Sequence, residues 1–166
     1  MHPLCGESVA VQFRARPVSI GLGMQASMFF GYLGIGYGRI GQLASGVDAL
    51  DKAFELAART GERFFEAELR RMNASLRLRA GDVTGAEQEL ELALAVARQQ
   101  EARLWELRAA ASLARLWRDQ DKRAEAYEIL QPVYAWFIEG FDTADLKDAK
   151  ALLDELSDNE LSGSSL

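Results

Sequence analysis

Apolar residues recur along most of the chain with the spacing of amphipathic helices, and polar breaks interrupt them at regular intervals. Three of these breaks contain Gly41, Gly81 and Asp121, which are 40 residues apart. After each of the three, a small residue comes five positions on, and apolar residues come nine and twelve positions on. Because offsets of four and seven residues fall on one face of a helix, the pattern predicts a helix with the same apolar face after every break.

The same alternation predicts seven helices. Their ranges are near 26–39, 43–59, 62–79, 84–99, 102–119, 123–138 and 144–156. Thr84 and Glu87 have the spacing of a capping box at the start of the fourth helix. Asp142 or Thr143 can cap the last helix, which closes the array.

The segment around Pro132 is strongly apolar beyond the proline. Because proline lacks a backbone N–H, the sixth helix is expected to kink or break there. Trp136 and Phe137 follow, and we expect both to be core residues against the last helix rather than part of a ligand-binding box, since large aromatic side chains dominate such burial.

Glycine is concentrated in the first part of the chain, where 9 of the 14 glycines precede residue 47. Gly34, Gly41 and Gly46 occupy positions at which small or turn-forming residues recur 40 or 80 places later. Five others have no such counterpart: Gly21, Gly23, Gly31, Gly36 and Gly38. Because each glycine inside a helix weakens it by roughly 1 kcal/mol, the first pair of helices is expected to be the least stable part of the chain.

The composition favours one helical domain without a cofactor. Ala and Leu supply 49 of the 166 residues and Val, Ile and Thr only 15, which favours helices over sheets. Asp and Glu number 25 against 19 Lys and Arg, so a general nucleic-acid binder is not expected. Cys5 and His2 are the only residues of their types, which excludes an internal disulfide and an ordinary zinc site. The single cysteine fits a reducing, cytoplasmic location.

Residues 17–38 carry no charged side chain, so a membrane-spanning segment is one interpretation of this stretch. Ser19, Gln25, Ser27 and several glycines interrupt it, and length alone does not establish a span. We therefore favour a chain that is not inserted in a membrane.

Gly36, Gly38 and Gly41 spell G-x-G-x-x-G, so a small nucleotide-binding protein is an alternative function. A dinucleotide site needs a strand before these glycines, for which residues 28–35 are the candidate, and a second strand ending in an acidic residue about 20 positions on. Residues 58–70 instead have a helical pattern, which disfavours this alternative.

Two of the predicted helices contain the spacing aromatic-x2-L-G-x2-Y or a close variant of it. The positions are Phe30, Leu33, Gly34 and Tyr37 in the first unit, and Ala110, Leu113, Ala114 and Trp117 in the third. This spacing is typical of the first helix of a tetratricopeptide (TPR) hairpin, where the small residue lies against the partner helix. In the second unit the apolar residues come one position earlier than a strict 40-residue register requires.

Two longer segments carry a more specific resemblance. They are ELRAAASLARLWRDQ (106–120) and GFDTADLKDAKALLDEL (140–156). Both resemble the C-terminal repeat region of large bacterial adenylate/guanylate cyclase-associated predicted ATPases, which is similar to the TPR-like region of the maltose regulator. The resemblance covers about residues 26–156 and departs from the family pattern at Asp121, where glycine is preferred.

The resemblance implies an all-α, TPR-like helical-hairpin solenoid of three hairpins and a C-terminal capping helix. The corresponding ranges are 26–60, 61–100 and 101–140 for the units and 143–156 for the cap. Outside the resemblance, residues 1–25 are a poorly defined N-terminal segment, and the polar composition of residues 157–166 predicts a disordered tail. The resemblance further implies a non-catalytic protein–protein interaction module of a bacterial signalling or transcription regulator. The chain has no Gly-Lys dipeptide and hence no phosphate-binding loop, so it is either a standalone adaptor or the truncated remnant of a cyclase/ATPase protein.

In a TPR array the first helices of the hairpins line the concave face, where partner segments dock. On this basis the candidate partner-binding residues are Arg71, Arg108, Arg115 and Arg118. Guanidinium groups bind carboxylates through paired hydrogen bonds, so the expected partner is a protein or peptide with an acidic segment. The alternative is a solvated helix face on which Asp119 compensates the charge of Arg115.

Overall fold

The computed structural model describes residues 20–158, with side chains from residue 26 onward. The regular elements in this range are seven helices without a strand, which confirms the predicted all-α class. The helices are α1 (Ile20–Arg39), α2 (Leu43–Thr60), α3 (Glu66–Arg79), α4 (Val83–Gln99), α5 (Arg103–Asp119), α6 (Arg123–Ala135) and α7 (Ala144–Ser157).

The predicted helix boundaries are confirmed to within one residue at all but three ends. Helix α1 begins six residues earlier than expected, α3 begins four residues later, and α6 ends three residues earlier. Most of the predicted N-terminal segment (1–25) and of the predicted tail (157–166) lies outside the described residues.

A residue with left-handed backbone geometry follows each of the first five helices. These residues are spaced by 20 positions, with φ of 81° at Gly41, 71° at Gly61, 83° at Gly81, 53° at Glu101 and 63° at Asp121. The 40-residue repeat in the sequence therefore corresponds to two helices and two left-handed turns. Glycine adopts this geometry freely, whereas a side chain such as that of Glu101 makes it costly.

The start of α4 differs from the predicted capping box. The N-cap is Asp82, whose carboxylate accepts a hydrogen bond from the backbone N–H of Gly85 at 2.9 Å. That bond, together with an ion pair to Arg77 at 2.7 Å, lowers the pKa of Asp82 below its usual value. Thr84 lies inside the helix and Glu87 bonds to other residues, so the prediction of a Thr84–Glu87 box is wrong.

The link between α6 and α7 is more exposed than the sequence suggested. Helix α6 ends three residues after Pro132, and Trp136 is 55% exposed with the Arg103 guanidinium 5.0 Å from its ring centroid. The prediction that Trp136 is a core residue is therefore wrong, whereas Phe137 packs half-buried against the core. Thr143 is the N-cap residue of α7, but its hydroxyl donates to the carbonyl of residue 140 instead of capping the helix.

Each helix packs against the next one in the chain, and the odd-numbered helices also form a row. Helix α1 contacts α3, α3 contacts α5, and α5 contacts α7, whereas α2 does not contact α4 and α4 does not contact α6. The buried apolar residues form a larger cluster from α3 to α7 and a smaller one on α2 and α3, against which α1 packs. This arrangement leaves one face of the odd row open.

Small residues allow α1 to approach α2 and α3 closely. A Cβ atom at Gly34 would lie 2.9 Å from the backbone oxygen of Gly46, and one at Gly31 would lie 2.7 Å from a side-chain atom of Leu69. A Cβ at Gly38 would also collide with α3. Gly31 and Gly38 therefore have a packing role, which corrects the view that they only weaken the first helix.

The uncharged stretch at residues 17–38 contributes to this packing. Buried Ser27 donates a hydrogen bond to the Glu62 carboxylate at 2.8 Å, which ties α1 to the link between α2 and α3. None of the helices within residues 20–158 combines the length and the apolar character needed to cross a membrane. Residues 17–19 of the stretch fall outside the described range.

Candidate partner-binding groove

The open face of the odd-numbered helices contains a groove of about 380 Å³. We call it the arginine groove, after the charged residues that line it: Arg39, Arg71, Arg108, Arg115, Asp145 and Asp148. Leu107, Ala111 and Ser112 of α5 also line it. All four odd-numbered helices contribute, so the groove exists only because the row of helices is packed side by side.

Arg108 is held by a carboxylate and by an aromatic ring. Its guanidinium donates two hydrogen bonds to Asp145 on α7, at 3.0 Å and 2.8 Å, and lies 5.1 Å from the ring centroid of Trp105. The bonds to Asp145 raise the pKa of Arg108 above its usual value, although burial opposes this. Charge-assisted paired bonds of this kind fix the orientation of the guanidinium.

A buried carboxylate lies beneath the groove. Glu68 on α3 is 1% exposed and accepts hydrogen bonds from Arg71 at 2.6 Å and 2.8 Å. The Glu68 oxygen that accepts the 2.6 Å hydrogen bond, Oε1, also lies 3.6 Å from a nitrogen of Arg108. A buried carboxylate is tolerated only when it is paired with positive charge. Glu68 therefore keeps the guanidinium groups of Arg71 and Arg108 close to each other in the lining of the groove.

The sequence contains a signal for the burial of Glu68. Phe65, Leu69, Met72 and Leu76 form the apolar stripe of α3, and Glu68 falls on that stripe at helical spacing. A charged residue on an apolar face indicates a buried ion pair. Arg71, three residues on in the same helix, is one partner, whereas the approach of Arg108 is set by the packing of α3 against α5.

Two arginines of the groove pair with no acidic residue of the described range. Arg115 and Arg39 line the groove, and no carboxylate among the described residues lies within 4.0 Å of either guanidinium. Asp119 pairs with Arg118 at 2.8 Å and not with Arg115, so the expected compensation of Arg115 by Asp119 is wrong. Arg39 was not among the candidates, because α1 carries no other charged residue to mark its polar face.

Arg118 lies apart from the other three candidates. It is not among the residues that line the arginine groove, and it binds Asp119 and also Glu155 of α7, the latter at 3.0 Å. Hydrogen bonding to Asp119 raises the pKa of Arg118. The structure therefore brings together Arg71, Arg108 and Arg115 of the four predicted residues and adds Arg39.

The other sites weighed from the sequence do not form in the described part of the chain. Gly36 and Gly38 lie inside α1, and residues 28–35 are helical, so the strand that a dinucleotide fingerprint requires does not precede these glycines. Within residues 20–158, no group of three or more His, Cys, Asp and Glu side chains is placed to hold a metal ion. No protein-family model, no curated protein and no solved structure matches the chain.

Proposed function

We propose that this protein is a non-catalytic protein-interaction module of a bacterial signalling or transcription regulator, located in the cytoplasm. In this proposal α1–α2, α3–α4 and α5–α6 are three TPR-like hairpins and α7 is the capping helix. Two observations support it: left-handed turns recur every 20 residues, and the odd-numbered helices contact one another in a row whereas α2, α4 and α6 do not. The sequence resemblance to the repeat region of cyclase-associated regulators suggests the signalling context.

The arginine groove is the proposed binding site, and its ligand is an extended acidic segment of a partner protein. The observation that carries this proposal is the presence of Arg39 and Arg115 on one groove without an acidic partner among the described residues. A carboxylate that binds between them gains charge-assisted hydrogen bonds without breaking an existing ion pair. The chain as a whole has a net charge of −6, whereas arginines outnumber acidic residues in the lining of the groove.

Arg71 and Arg108 have a different role from Arg39 and Arg115. Arg71 and Arg108 are oriented by Glu68 and Asp145, so their remaining donors are held in position before a ligand arrives. Such preorganisation reduces the entropy that binding must overcome. The groove then combines two fixed cations with two available ones, Arg39 and Arg115.

A peptide-binding experiment tests this proposal. Fluorescence anisotropy would compare acidic, neutral and basic peptides of about ten residues, which reach roughly 33–36 Å when fully extended. We expect the acidic peptides to bind best, and Arg39→Ala with Arg115→Ala to weaken them by roughly tenfold or more. The matched control is Arg59→Ala with Arg79→Ala, which removes the same charge from exposed positions outside the groove.

Arg108 and Arg118 are poor test positions, because their removal leaves Asp145 and Glu155 without a partner and changes the packing of α7. Equal binding of acidic and basic peptides would contradict the proposal. So would an Arg39/Arg115 double variant that binds acidic peptides as tightly as the Arg59/Arg79 control.

A further inference from the structure

Helix α1 and the residue after it carry an exposed apolar stripe on the side away from its packing glycines. Phe29, Leu33 and Ile40 are 64%, 46% and 68% exposed. Gly36 completes the stripe, and a Cβ atom built at Gly36 meets no other atom within 4 Å. We call these four residues the α1 seam. No described element covers it.

The spacing of the α1 seam indicates what kind of surface fits it. Its members are separated by four, three and four residues. This is the spacing of the interface positions in two helices that pack side by side with interlocking side chains. The seam therefore fits another helix better than it fits an extended segment.

We propose that the α1 seam is a dimer interface, in which α1 of one copy of this chain packs antiparallel against α1 of a second copy. In that pairing Phe29 faces the partner's Ile40, and Leu33 faces the partner's Gly36. Each of these two contacts occurs twice in the dimer, as its two-fold symmetry requires. The small Gly36 leaves the space that the facing Leu33 fills.

The charge of α1 supports a second copy as the occupant. A symmetric interface brings identical surfaces together, so a charged patch there would repel itself. Arg39 is the one charged residue of α1, and antiparallel pairing places the two copies of Arg39 at opposite ends of the interface. Two different helices usually recognise each other through charged residues beside their interface. Residues 20–38 of α1 contain no charged residue.

Sedimentation equilibrium of the full chain tests the dimer directly. We expect the wild-type protein to approach twice its monomer mass between about 1 and 100 micromolar, the range of moderate protein affinities. Leu33→Asp is expected to weaken association by roughly thirtyfold or more, because it places a charge in the centre of the seam. Leu92→Asp on α4 is the matched control, since Leu92 and Leu33 are 47% and 46% exposed.

A second variant separates specific packing from general stickiness. Gly36→Leu enlarges the apolar surface and fits the monomer without a clash, because the position is open. It also favours the helix, so the variant is expected to fold. If Leu33 packs over Gly36 of the other copy, Gly36→Leu weakens the dimer by roughly tenfold or more, whereas a nonspecific apolar contact would be strengthened.

Several results would overturn the proposal. A wild-type chain that stays monomeric at all concentrations would show that the seam is covered by another part of the chain or serves a different protein. A dimer that survives Leu33→Asp, or that is strengthened by Gly36→Leu, would place the interface elsewhere or make it unspecific. Circular dichroism of each variant would verify that the helices are retained.

Discussion

At the scale of single residues, Glu87 shows how packing gives a side chain a role that its sequence position did not indicate. The Glu87 carboxylate on α4 accepts hydrogen bonds from the Trp117 indole at 2.6 Å, from Gln120 at 3.3 Å and from Lys122 at 3.4 Å. The bond from Trp117 is the main reason why the pKa of Glu87 lies below its usual value. Three donors from the end of α5 and the link after it thus converge on one carboxylate of the preceding helix.

This lowered pKa predicts a pH-dependent stability difference between wild type and Glu87→Gln. The folded protein favours the ionised carboxylate, so the stabilisation is present above the usual pKa of 4.5 and is lost as the pH falls through the folded value. We expect Glu87→Gln to melt a few degrees below wild type at pH 7, and we expect this difference to shrink as the pH falls below 4.5. Thermal unfolding followed by circular dichroism measures this. Glu91→Gln, at an exposed position on the same helix, is the control.

A melting difference that is the same at pH 7 and pH 3 would show that the charge of Glu87 does not contribute. A similar pH-dependent difference for Glu91→Gln would attribute the effect to the general charge of α4 rather than to Trp117.

At the scale of helices, the 40-residue repeat places a small residue where two neighbouring helices approach each other closely. Gly34 of α1 and Gly46 of α2 face each other, and a Cβ at either position would lie within 3.0 Å of the other residue's backbone oxygen. Positions equivalent to Gly46 carry Ala86 and Ala126, which are fully buried. Small residues therefore recur at the point where the two helices of each pair meet.

Two alanine substitutions in α1 should have opposite effects. Gly34→Ala is expected to destabilise the protein by about 1–3 kcal/mol, because the added methyl group meets backbone that cannot move aside without separating α1 from α2. Gly36→Ala is expected to stabilise it by about 1 kcal/mol, because its position is open and alanine favours the helix. Denaturant unfolding at low protein concentration, where any dimer has dissociated, measures both.

Equal changes in stability for Gly34→Ala and Gly36→Ala would contradict this interpretation of the close approach. They would mean that α1 responds only to helix propensity and that its contact with α2 is loose.

At the scale of the whole molecule, the core is divided unevenly. The larger apolar cluster extends from α3 to α7, whereas α1 packs against the smaller cluster on α2 and α3. The contacts are mainly between elements that are close in sequence. In such an arrangement local stability follows local burial, and opening of one end need not unfold the rest.

Hydrogen exchange should therefore be uneven along the chain. We expect the amides of α1 to exchange faster than those of α5, because α5 contributes many residues to the larger cluster and α1 is rich in glycine. Native-state exchange followed by mass spectrometry, at a concentration where the monomer predominates, measures this. Equal protection of α1 and α5 would mean that the helices unfold as a single cooperative unit.

Local properties of the sequence determined the helices of this protein. The apolar period, the polar breaks and the glycines at 41 and 81 act within a few residues of themselves, so they placed most helix boundaries correctly. The same periodicity put Arg71, Arg108 and Arg115 on faces that meet in one groove. The charged residues that a helix presents could be predicted in this way because they depend only on its own period.

Tertiary structure decided which of those charges are paired. Glu68 pairs with Arg71 within α3, but its approach to Arg108 and the pair of Arg108 with Asp145 depend on how the odd-numbered helices pack. The same packing places Arg39 and Arg115 in one groove. The exposure of Trp136 and the partners of Glu87 were missed for the same reason. A hydrogen bond between side chains about 30 or 37 residues apart is fixed by the angle and offset between helices, which the period of a single helix does not contain.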